Sequence, residues 1–392
     1  MDQSRVLIAS HYNATRFVYD TSCYDMVAGF AECDDVDVLA PSTPKSSGQI
    51  RVDRVKRRLK SLTGLGTCYR IEPVEVKQDY ELFVYIGTGL PDLVDIARIR
   101  HWRRRAKRAV CVVLKAYGGE LKQFEDNLAI LNSFDIVYSG TWTSIAFFQS
   151  LVRPPVRYLA YGIPALEMMP ASINRERTID VYAMGRRLPA LHDQMLREMR
   201  SGSVNYVFDS FDNSVPFIKD FAGHCSSRAQ FLKQTKFFAN FGVRSFQSRE
   251  LELAGDDDLI TYRCYEGAAA GTVMFGSAPT SPDYALLFDW EDAIIPAPAS
   301  GCDYLDFLHG LEAQTDRMNA IRRRNVSNAL LKHDLAYRYE AILKDLGVAT
   351  HEKLEERKQG LLHAADRVGR PTQLGETTVA TSMVGNRAPR IA

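Results

Sequence analysis

Short, continuously apolar runs recur along the whole 392-residue chain, with longer mixed segments between them. Because the runs are apolar at successive positions and not at alternate ones, they predict strands that are covered on both faces of a parallel sheet. The segments between them carry helix-like spacing, for example Tyr19–Ala31 and Phe124–Asn132. Alternating strands and helices predict an α/β fold with doubly wound sheets. In the first half the predicted strands are Val6–Ser10, Val36–Pro41, Glu81–Gly87, Ala109–Tyr117, Asp135–Gly140 and Val156–Gly162.

The pattern restarts after residues 164–177, a stretch that contains Pro and Met and has little periodicity. A chain of this length can bury two cores. We therefore predict two Rossmann-like domains, 1–165 and 178–346, whose strand ends face each other across a ligand-binding cleft. Helices within Tyr304–Leu346 close the second domain, and residues 350–392 are predicted to be a disordered tail because apolar periodicity fades. The predicted strands of the second half are Ile179–Gly185, Val204–Ser210, Lys236–Phe241, Thr272–Gly276 and Leu286–Trp290.

The composition argues against a strong overall electrostatic field and against a disulfide framework. The formal net charge is +1, so any charged partner must be recognised by a local patch. The seven cysteines include no C-x-x-C pair, which favours a reducing cytosol. The start MDQSRVLIAS lacks signal-peptide features, and no segment approaches the ~18 apolar residues of a membrane span. We expect a cytoplasmic protein, and contact with the inner face of a membrane stays open.

The most informative stretch is YRCYEGAAAGTVMFG, residues 262–276. It predicts a loop, a short helix of small residues and a buried strand. The small residues from Gly267 onward let the backbone approach a ligand, and a helix N-terminus can receive phosphate. A carboxylate at Glu266 can accept hydrogen bonds from both hydroxyls of a ribose, and Arg263 can pair with phosphate. The alternative interpretation is a tightly packed helix with a capping acid.

This stretch resembles the donor-site signature of GT-B glycosyltransferases. The pattern R-x-x-E-x-x-A-x-G before an apolar strand is closest to the spore-maturation-type transferases of the family-4-like group, and Arg263, Glu266, Ala269 and Gly271 occupy its positions. The resemblance implies a GT-B architecture in which Glu266, with Gly267 beside it, holds the donor ribose. It also implies that an acid eight residues earlier, here Asp258, contacts the transferred sugar.

Two further segments fit the same resemblance. The strand Ile179–Ala183 leads into Gly185, Arg186 and Arg187, and in GT-B enzymes a basic pair in this place faces the donor phosphates. The glycine permits a sharp turn, and the arginines can neutralise the leaving diphosphate. The segment from His333 to Leu343 resembles the ending of the same transferases, with Leu335 in place of a Trp; it supports the family and is assigned no chemistry.

The first half matches these enzymes in architecture alone, so its candidates come from strand ends. His11 directly follows the first strand and is a candidate at the mouth of the cleft, either as general base for an inverting reaction or as an acceptor contact. A surface histidine bonded to its own loop is the alternative interpretation. Thr88, Lys115 and Tyr117 follow other strands and are further acceptor-side candidates.

No metal or cofactor site is predicted. The eight histidines are scattered, and Asp256–Asp258 is interpreted as a solvated acidic loop, not a cation site. The donor is a nucleotide-sugar substrate, whose phosphates arginine and helix dipole would neutralise. The chain also lacks G-x-G-x-x-G after its first strand, which argues against a dehydrogenase.

Basic residues crowd two stretches of the first half. One lies within 51–60, and the other is Arg98–Arg108, with Ile99 and Trp102 among its arginines. Such a face could dock on anionic lipid, as a lipid-linked acceptor would require. It could also follow a nucleic-acid backbone, or be solvated surface. The members are Arg51, Arg54, Lys56, Arg57, Arg58 and Lys60 in the first stretch, and Arg98, Arg100, Arg103, Arg104, Arg105, Lys107 and Arg108 in the second.

The sequence therefore predicts transfer of a hexose-like unit from a UDP- or GDP-sugar to a hydroxyl acceptor, such as a glycan or a lipid-linked saccharide, without a metal. The resemblance favours retention at the anomeric carbon. Two alternatives stay open: a sugar-nucleotide epimerase on the same fold, and a catalytically degenerate binding or scaffold subunit.

Overall fold

A computed structural model of the chain describes residues 4–41, 52, 55, 69–185, 187–209, 218–246, 249–255, 257–298 and 303–369. Its strands are β1 Val6–Ser10, β2 Val36–Leu39, β3 Val74–Glu75, β4 Tyr80–Gly89, β5 Ile99–Arg100, β6 Ala106–Lys115, β7 Ile136–Ser139, β8 Val156–Tyr158, β9 Ile179–Ala183, β10 Tyr206–Phe208, β11 Thr235–Asn240, β12 Val273–Gly276 and β13 Ile295–Pro296.

The helices alternate with these strands. They are α1 Tyr12–Thr15, α2 Thr21–Ala31, α3 Trp102–Arg105, α4 Gly118–Gln123, α5 Ile145–Leu151, α6 Ala165–Met168, α7 Pro189–Ser201, α8 Phe221–Lys233, α9 Arg249–Ala254, α10 Tyr262–Ala269, α11 Pro282–Leu287, α12 Tyr304–Glu312, α13 Thr315–Asn328, α14 Leu335–Leu346 and α15 Glu352–Gly369. Short 3-10 segments cover Val18–Asp20, Leu90–Arg98, Glu125–Ser133 and Val243–Ser245, and a π-helical turn covers Ala329–His333.

The strands form two parallel sheets. The first has six strands in the order β2-β1-β4-β6-β7-β8, and the second has five in the order β10-β9-β11-β12-β13. Val6 pairs with Leu82 in the first sheet, and Phe237 pairs with Val273 in the second. The continuous apolar runs explain this arrangement, because these central strands are buried on both faces. The predicted α/β class is confirmed, and the predicted break at 165–178 lies between β8 and β9.

One hydrophobic core runs from the first sheet to the second, while two others cover their outer faces. The shared core includes Ile8 of β1, Tyr265 of α10 and Leu335 of α14. Leu335 fits against two glycines, since a Cβ at Gly29 or at Gly162 would lie 2.5 Å or 2.8 Å from its side chain. These close contacts fix α14 against the first half of the chain.

The structure contradicts the predicted tail over residues 352–369, which form helix α15. Leu354 and Leu361 are fully buried, and Arg357 forms ion pairs with Asp334 and Glu167. Residues 370–392 lie outside the described residues. The predicted strand at residues 286–290 is also wrong over its first part, because Pro282 opens helix α11, which continues to Leu287.

No helix among the described residues is both long enough and apolar enough to cross a membrane.

Candidate donor site

The sequence predicted Glu266 at the start of a helix. Helix α10 begins at Tyr262, however, so Glu266 lies in its second turn. Gly267 faces the second sheet: a Cβ there would lie 2.5 Å from the Met274 sulfur and 2.9 Å from a ring carbon of Phe238. Close helix–sheet packing therefore explains this glycine. Its predicted role beside the donor stays a prediction.

Glu266 forms an ion pair with a buried arginine that comes from another helix. Arg228 Nη1 on α8 lies 3.0 Å from Glu266 Oε1, and its Nη2 lies 2.7 Å from Asp25 Oδ2 on α2. Tyr262 donates its hydroxyl hydrogen to the same Asp25 oxygen over 2.6 Å. Burial raises the pKa of the Glu266 carboxyl; Arg228 lowers it, Asp25 raises it further and Arg263 lowers it. The net pKa of Glu266 is raised, since burial outweighs the two arginines, and Arg228 is the larger of the two opposing influences.

Arg263 joins the ends of two neighbouring strands. Its guanidinium donates to the Met184 carbonyl oxygen after β9, at 2.9 Å, and to the Phe241 carbonyl oxygen after β11, at 2.7 Å. These hydrogen bonds place positive charge where the carboxyl ends of the strands converge, the usual location of ligands in parallel sheets. The structure thus brings Arg263 and Glu266 together on one helix beside the strand ends.

The turn after β9 adopts the sharp conformation that its glycine predicted. Gly185 has a φ of 71°, and its N–H donates to Asp209 Oδ2 over 2.8 Å. Arg187 also contacts Asp209, with its Nη1 2.7 Å from the backbone oxygen and 2.5 Å from Oδ1. Asp209 therefore holds both residues. Arg186 lies outside the described residues.

The sequence predicted a solvated acidic loop before α10. This prediction is wrong for the two described aspartates, Asp257 and Asp258, because both are buried. Asp258 Oδ2 accepts hydrogen bonds from Thr280 N at 2.6 Å and Thr280 Oγ1 at 3.0 Å. Asp257 Oδ2 accepts from the Gly118 N–H of the first sheet's α4, at 2.8 Å, and Asp257 also bonds Thr143. Asp258 thus follows a direct contact between the two halves of the chain, and Asp256 lies outside the described residues.

His11 is buried and not on the surface, which corrects the alternative of a surface histidine. Its Nε2 lies 3.4 Å from a carboxylate oxygen of Asp20 and 3.4 Å from one of Asp92. Thr88 joins this cluster by donating to Asp20 Oδ1 at 3.1 Å. His11 directly follows β1, as predicted, but its imidazole is buried, whereas the sequence placed it at the mouth of a cleft.

The other acceptor-side candidates lie at the end of β6. Lys115 Nζ is 3.6 Å from Glu120 Oε1 and 5.3 Å from the centre of the Tyr117 ring. Tyr117 packs with Val243 and Ala254 of the second half of the chain. This end of β6 is therefore in contact with the second half of the chain.

The basic stretch Arg98–Arg108 lies at the amino ends of the first sheet's strands, away from the strand ends described above. Trp102 is not the interfacial aromatic that the sequence suggested: it is buried and stacked between Phe83 and Phe134, with ring centres at 4.7 Å and 4.6 Å. Within this basic stretch, Arg103 and Arg105 pair with acids, and Arg104 contacts His101. Arg104, Arg105 and Lys107 line an open cavity of about 640 Å³. The cluster within 51–60 lies outside the described residues.

Among the described residues, no group of three or more His, Cys, Asp or Glu side chains has a geometry that could hold a metal ion.

Comparisons with known proteins bear on this site. A family model described as glycosyl transferase-like matches residues 208–344, the segment that contains Arg263 and Glu266. No curated protein matches the chain. Among solved structures, an alpha-glucosyltransferase in complex with UDP has a TM-score of 0.56 at 8% identity, covering 88% of this chain and 100% of that one.

Two other solved structures are similar. Anabaena HepE in complex with UDP has a TM-score of 0.50 at 10% identity, covering 88% of this chain and 99% of that one. An alpha-glucosyltransferase in complex with UDP-glucose and DNA containing an abasic site has a TM-score of 0.52 at 8% identity, covering 88% and 99%. At such identities the likeness establishes the fold, and the predicted GT-B architecture is confirmed. The fold and the matched segment together support a glycosyltransferase.

Sequence reasoning missed Arg228, Asp25 and Asp257 as parts of this site. The first two lie on helices far in sequence from Glu266 and follow no local motif. No sequence signal identifies them; the structure does so by their burial, since a charge is rarely buried without a partner.

Proposed function

We propose that the protein transfers a sugar from a UDP-sugar to a hydroxyl acceptor. The observation that carries the proposal is the position of Glu266, an acid in the glycosyl transferase-like segment that lies beside the strand ends and is held by Arg228. We favour UDP as the nucleotide of the donor, because the similar structures of HepE and of alpha-glucosyltransferase were solved with UDP. GDP is the second candidate.

The residues would divide the donor between them. Glu266 would accept hydrogen bonds from the ribose hydroxyls, and the turn from Gly185 to Arg187 would face the diphosphate, with Arg263 adding positive charge. Asp258 would contact the transferred sugar. For Asp258 this requires a rearrangement of its bonds to Thr280.

The reaction would follow from this placement. The acceptor oxygen forms a bond to the anomeric carbon while the bond from that carbon to the diphosphate oxygen breaks, and UDP leaves. The acceptor proton passes to a base or to the leaving diphosphate. The resemblance to the spore-maturation-type group favours retention, in which the leaving diphosphate takes the acceptor proton and His11 serves as an acceptor contact. For the inverting course, His11 is the proposed general base. In this proposal arginines neutralise the diphosphate, so the transfer needs no metal ion.

The two halves would take separate roles. Residues 178–346 would bind the donor and residues 1–165 the acceptor, with the contact of Asp257 with Gly118 bringing the two sites together. A glycan or a lipid-linked saccharide is the proposed acceptor. The location of Arg98–Arg108 away from the strand ends gives that stretch no part in transfer, so its contact with a membrane surface or with nucleic acid stays a prediction.

A binding experiment tests the donor site. UDP, GDP and dTDP are titrated calorimetrically into the protein and into the Glu266→Gln variant, which keeps the shape of the side chain and removes its charge. We expect UDP to bind, and the substitution to weaken binding by about 1.5–3 kcal/mol, the contribution of hydrogen bonds to a charged group.

The matched control is Glu291→Gln, since Glu291 is a surface acid of the same half that pairs with Arg324. It should leave UDP affinity unchanged. Equal UDP affinity in a folded Glu266→Gln variant would remove the ribose assignment.

A further inference from the structure

Arg228 links the two halves of the chain at the donor site. It projects from α8, between Asp25 on the first half's helix α2 and Glu266 on the second half's helix α10. Its two terminal nitrogens are divided between the carboxylates, at 2.7 Å and 3.0 Å. All three side chains are 3–4% exposed. One guanidinium therefore serves two buried acids from different halves.

Burial makes this sharing consequential. A carboxylate removed from water without a partner takes up a proton, because the charged form is the one that burial penalises. A protonated Glu266 would lose an acceptor lone pair and could not accept from both ribose hydroxyls in the same way. Arg228 opposes the protonation of Glu266, because its guanidinium lies 3.0 Å from the carboxylate. Arg263 instead donates to the backbone carbonyls of Met184 and Phe241.

We infer that Arg228 is a positioning residue for the Glu266 carboxylate, and that through Asp25 it couples donor binding to the placement of the first half of the chain. The inference rests on the proposed function, in which Glu266 holds the ribose. In this proposal Arg228 acts through Glu266, whose Oε1 lies 3.0 Å from Arg228 Nη1. A shift of α2 would move Asp25 and with it Arg228. The position of the Glu266 carboxylate, and so its hydrogen bonds to the ribose, would then change.

Other ionisable groups face this cluster. They are His224 and Cys225 on α8, Tyr262 and Arg263 on α10, and Tyr182 on β9. Burial raises the pKa of the Tyr182 and Tyr262 hydroxyls and of the Cys225 thiol, so these groups stay neutral near pH 7. Burial also lowers the pKa of His224, which favours its neutral form. The charges that act on Glu266 at this pH are therefore those of Arg228, Asp25 and Arg263.

The first experiment measures UDP affinity from pH 7 to pH 8.5 in the protein and in Arg228→Met, with each variant compared at the same pH so that titration of UDP itself cancels. Without the guanidinium, the pKa of the Glu266 carboxyl rises further. We expect Arg228→Met to lose about tenfold in UDP affinity at pH 7, one unit of protonation equilibrium, and to regain part of it as the pH rises. Arg228→Lys keeps a charge and should fall between the two.

Arg338→Met is the matched control, because Arg338 is a buried arginine that donates to the carbonyls of Ala160 and Tyr161. It should cost stability while leaving UDP affinity and its pH profile unchanged. Circular dichroism verifies that each variant is folded.

The second experiment tests the coupling without removing Arg228. Asp25→Asn retains the ion pair between Arg228 and Glu266, so the fold should tolerate it better. We expect it to change UDP affinity by about fivefold, within the usual range of coupling between sites, and to have no effect in a Glu266→Gln background.

The outcomes separate the two proposals. UDP binding that is lost in Glu266→Gln but unchanged in Arg228→Met at every pH would overturn the inference alone. An unmodified protein that binds no UDP would overturn the proposed function, and the inference with it.

Discussion

Gly267 occupies a place in α10 where a methyl group has no room. The sulfur of Met274 and the ring of Phe238 would lie within 2.9 Å of an added Cβ. The glycine lets α10 lie close to β11 and β12, and that approach brings Glu266 to the strand ends. A residue chosen for packing therefore determines where the candidate ribose carboxylate lies.

Gly267→Ala should destabilise the protein by about 1–3 kcal/mol, the usual cost of overpacking a core. Urea denaturation followed by circular dichroism measures the difference. Gly310→Ala is the control, because Gly310 also lies in a helix, α12, but an added Cβ meets nothing within 4 Å. That substitution should be neutral or stabilising by up to about 1 kcal/mol. Equal effects at the two glycines would contradict the packing argument.

The sequence predicted the turn at Gly185 and the shared helix of Arg263 and Glu266 because these signals are local. The spacing of Arg263 and Glu266 and the glycine turn at Gly185 are readable from neighbouring positions. The partners of Glu266 are not: Arg228 and Asp25 reach it through tertiary packing, which no spacing encodes. The burial of Asp258 was missed for the same reason, since three consecutive aspartates indicate solvent unless a folded partner such as Thr280 is known.

Helix α15 shows how an element with a polar sequence can be part of a core. Its buried stripe is narrow, with Leu354, Leu361 and Ala364 facing inward. The side chain of Arg357 lies beside them and is 8% exposed. It donates from Nε and Nη2 to the fully buried Asp334, at 2.8 Å and 2.9 Å. Asp334 also caps α14 by accepting from Ala336 N. The fading apolar periodicity led to the prediction of disorder, whereas the structure shows a narrow buried stripe and ion pairs that hold the helix.

Arg357→Met should lower the free energy of unfolding by about 3–5 kcal/mol, because it leaves a buried carboxylate without its cation. Thermal and urea unfolding measure the loss. Arg324→Met, at an exposed pair with Glu291, should change stability by less than about 1 kcal/mol. A loss at Arg357 no larger than at Arg324 would show that α15 contributes little to the fold.

The two sheets are joined by a continuous core and by polar contacts near the strand ends. The core spans both halves, and Asp257, Asp25 and Arg228 cross between them at the candidate donor site. The alternation of continuous apolar runs with helix-like segments was enough to predict two parallel sheets, because both signals are local. The contacts between the halves could not be predicted, since they depend on how the finished sheets meet.

The central claim is sugar transfer from a UDP-sugar, and the most direct test is the release of UDP. The protein is incubated in excess EDTA with UDP-hexoses and a set of glycan and lipid-linked hydroxyl acceptors. Released UDP and the sugar product are then quantified. We expect UDP release with transfer of the sugar, undiminished by EDTA and strongly reduced in Glu266→Gln. Conversion of the donor to another UDP-sugar without release would indicate an epimerase, and UDP binding without any turnover would indicate a binding subunit; either result would contradict the claim.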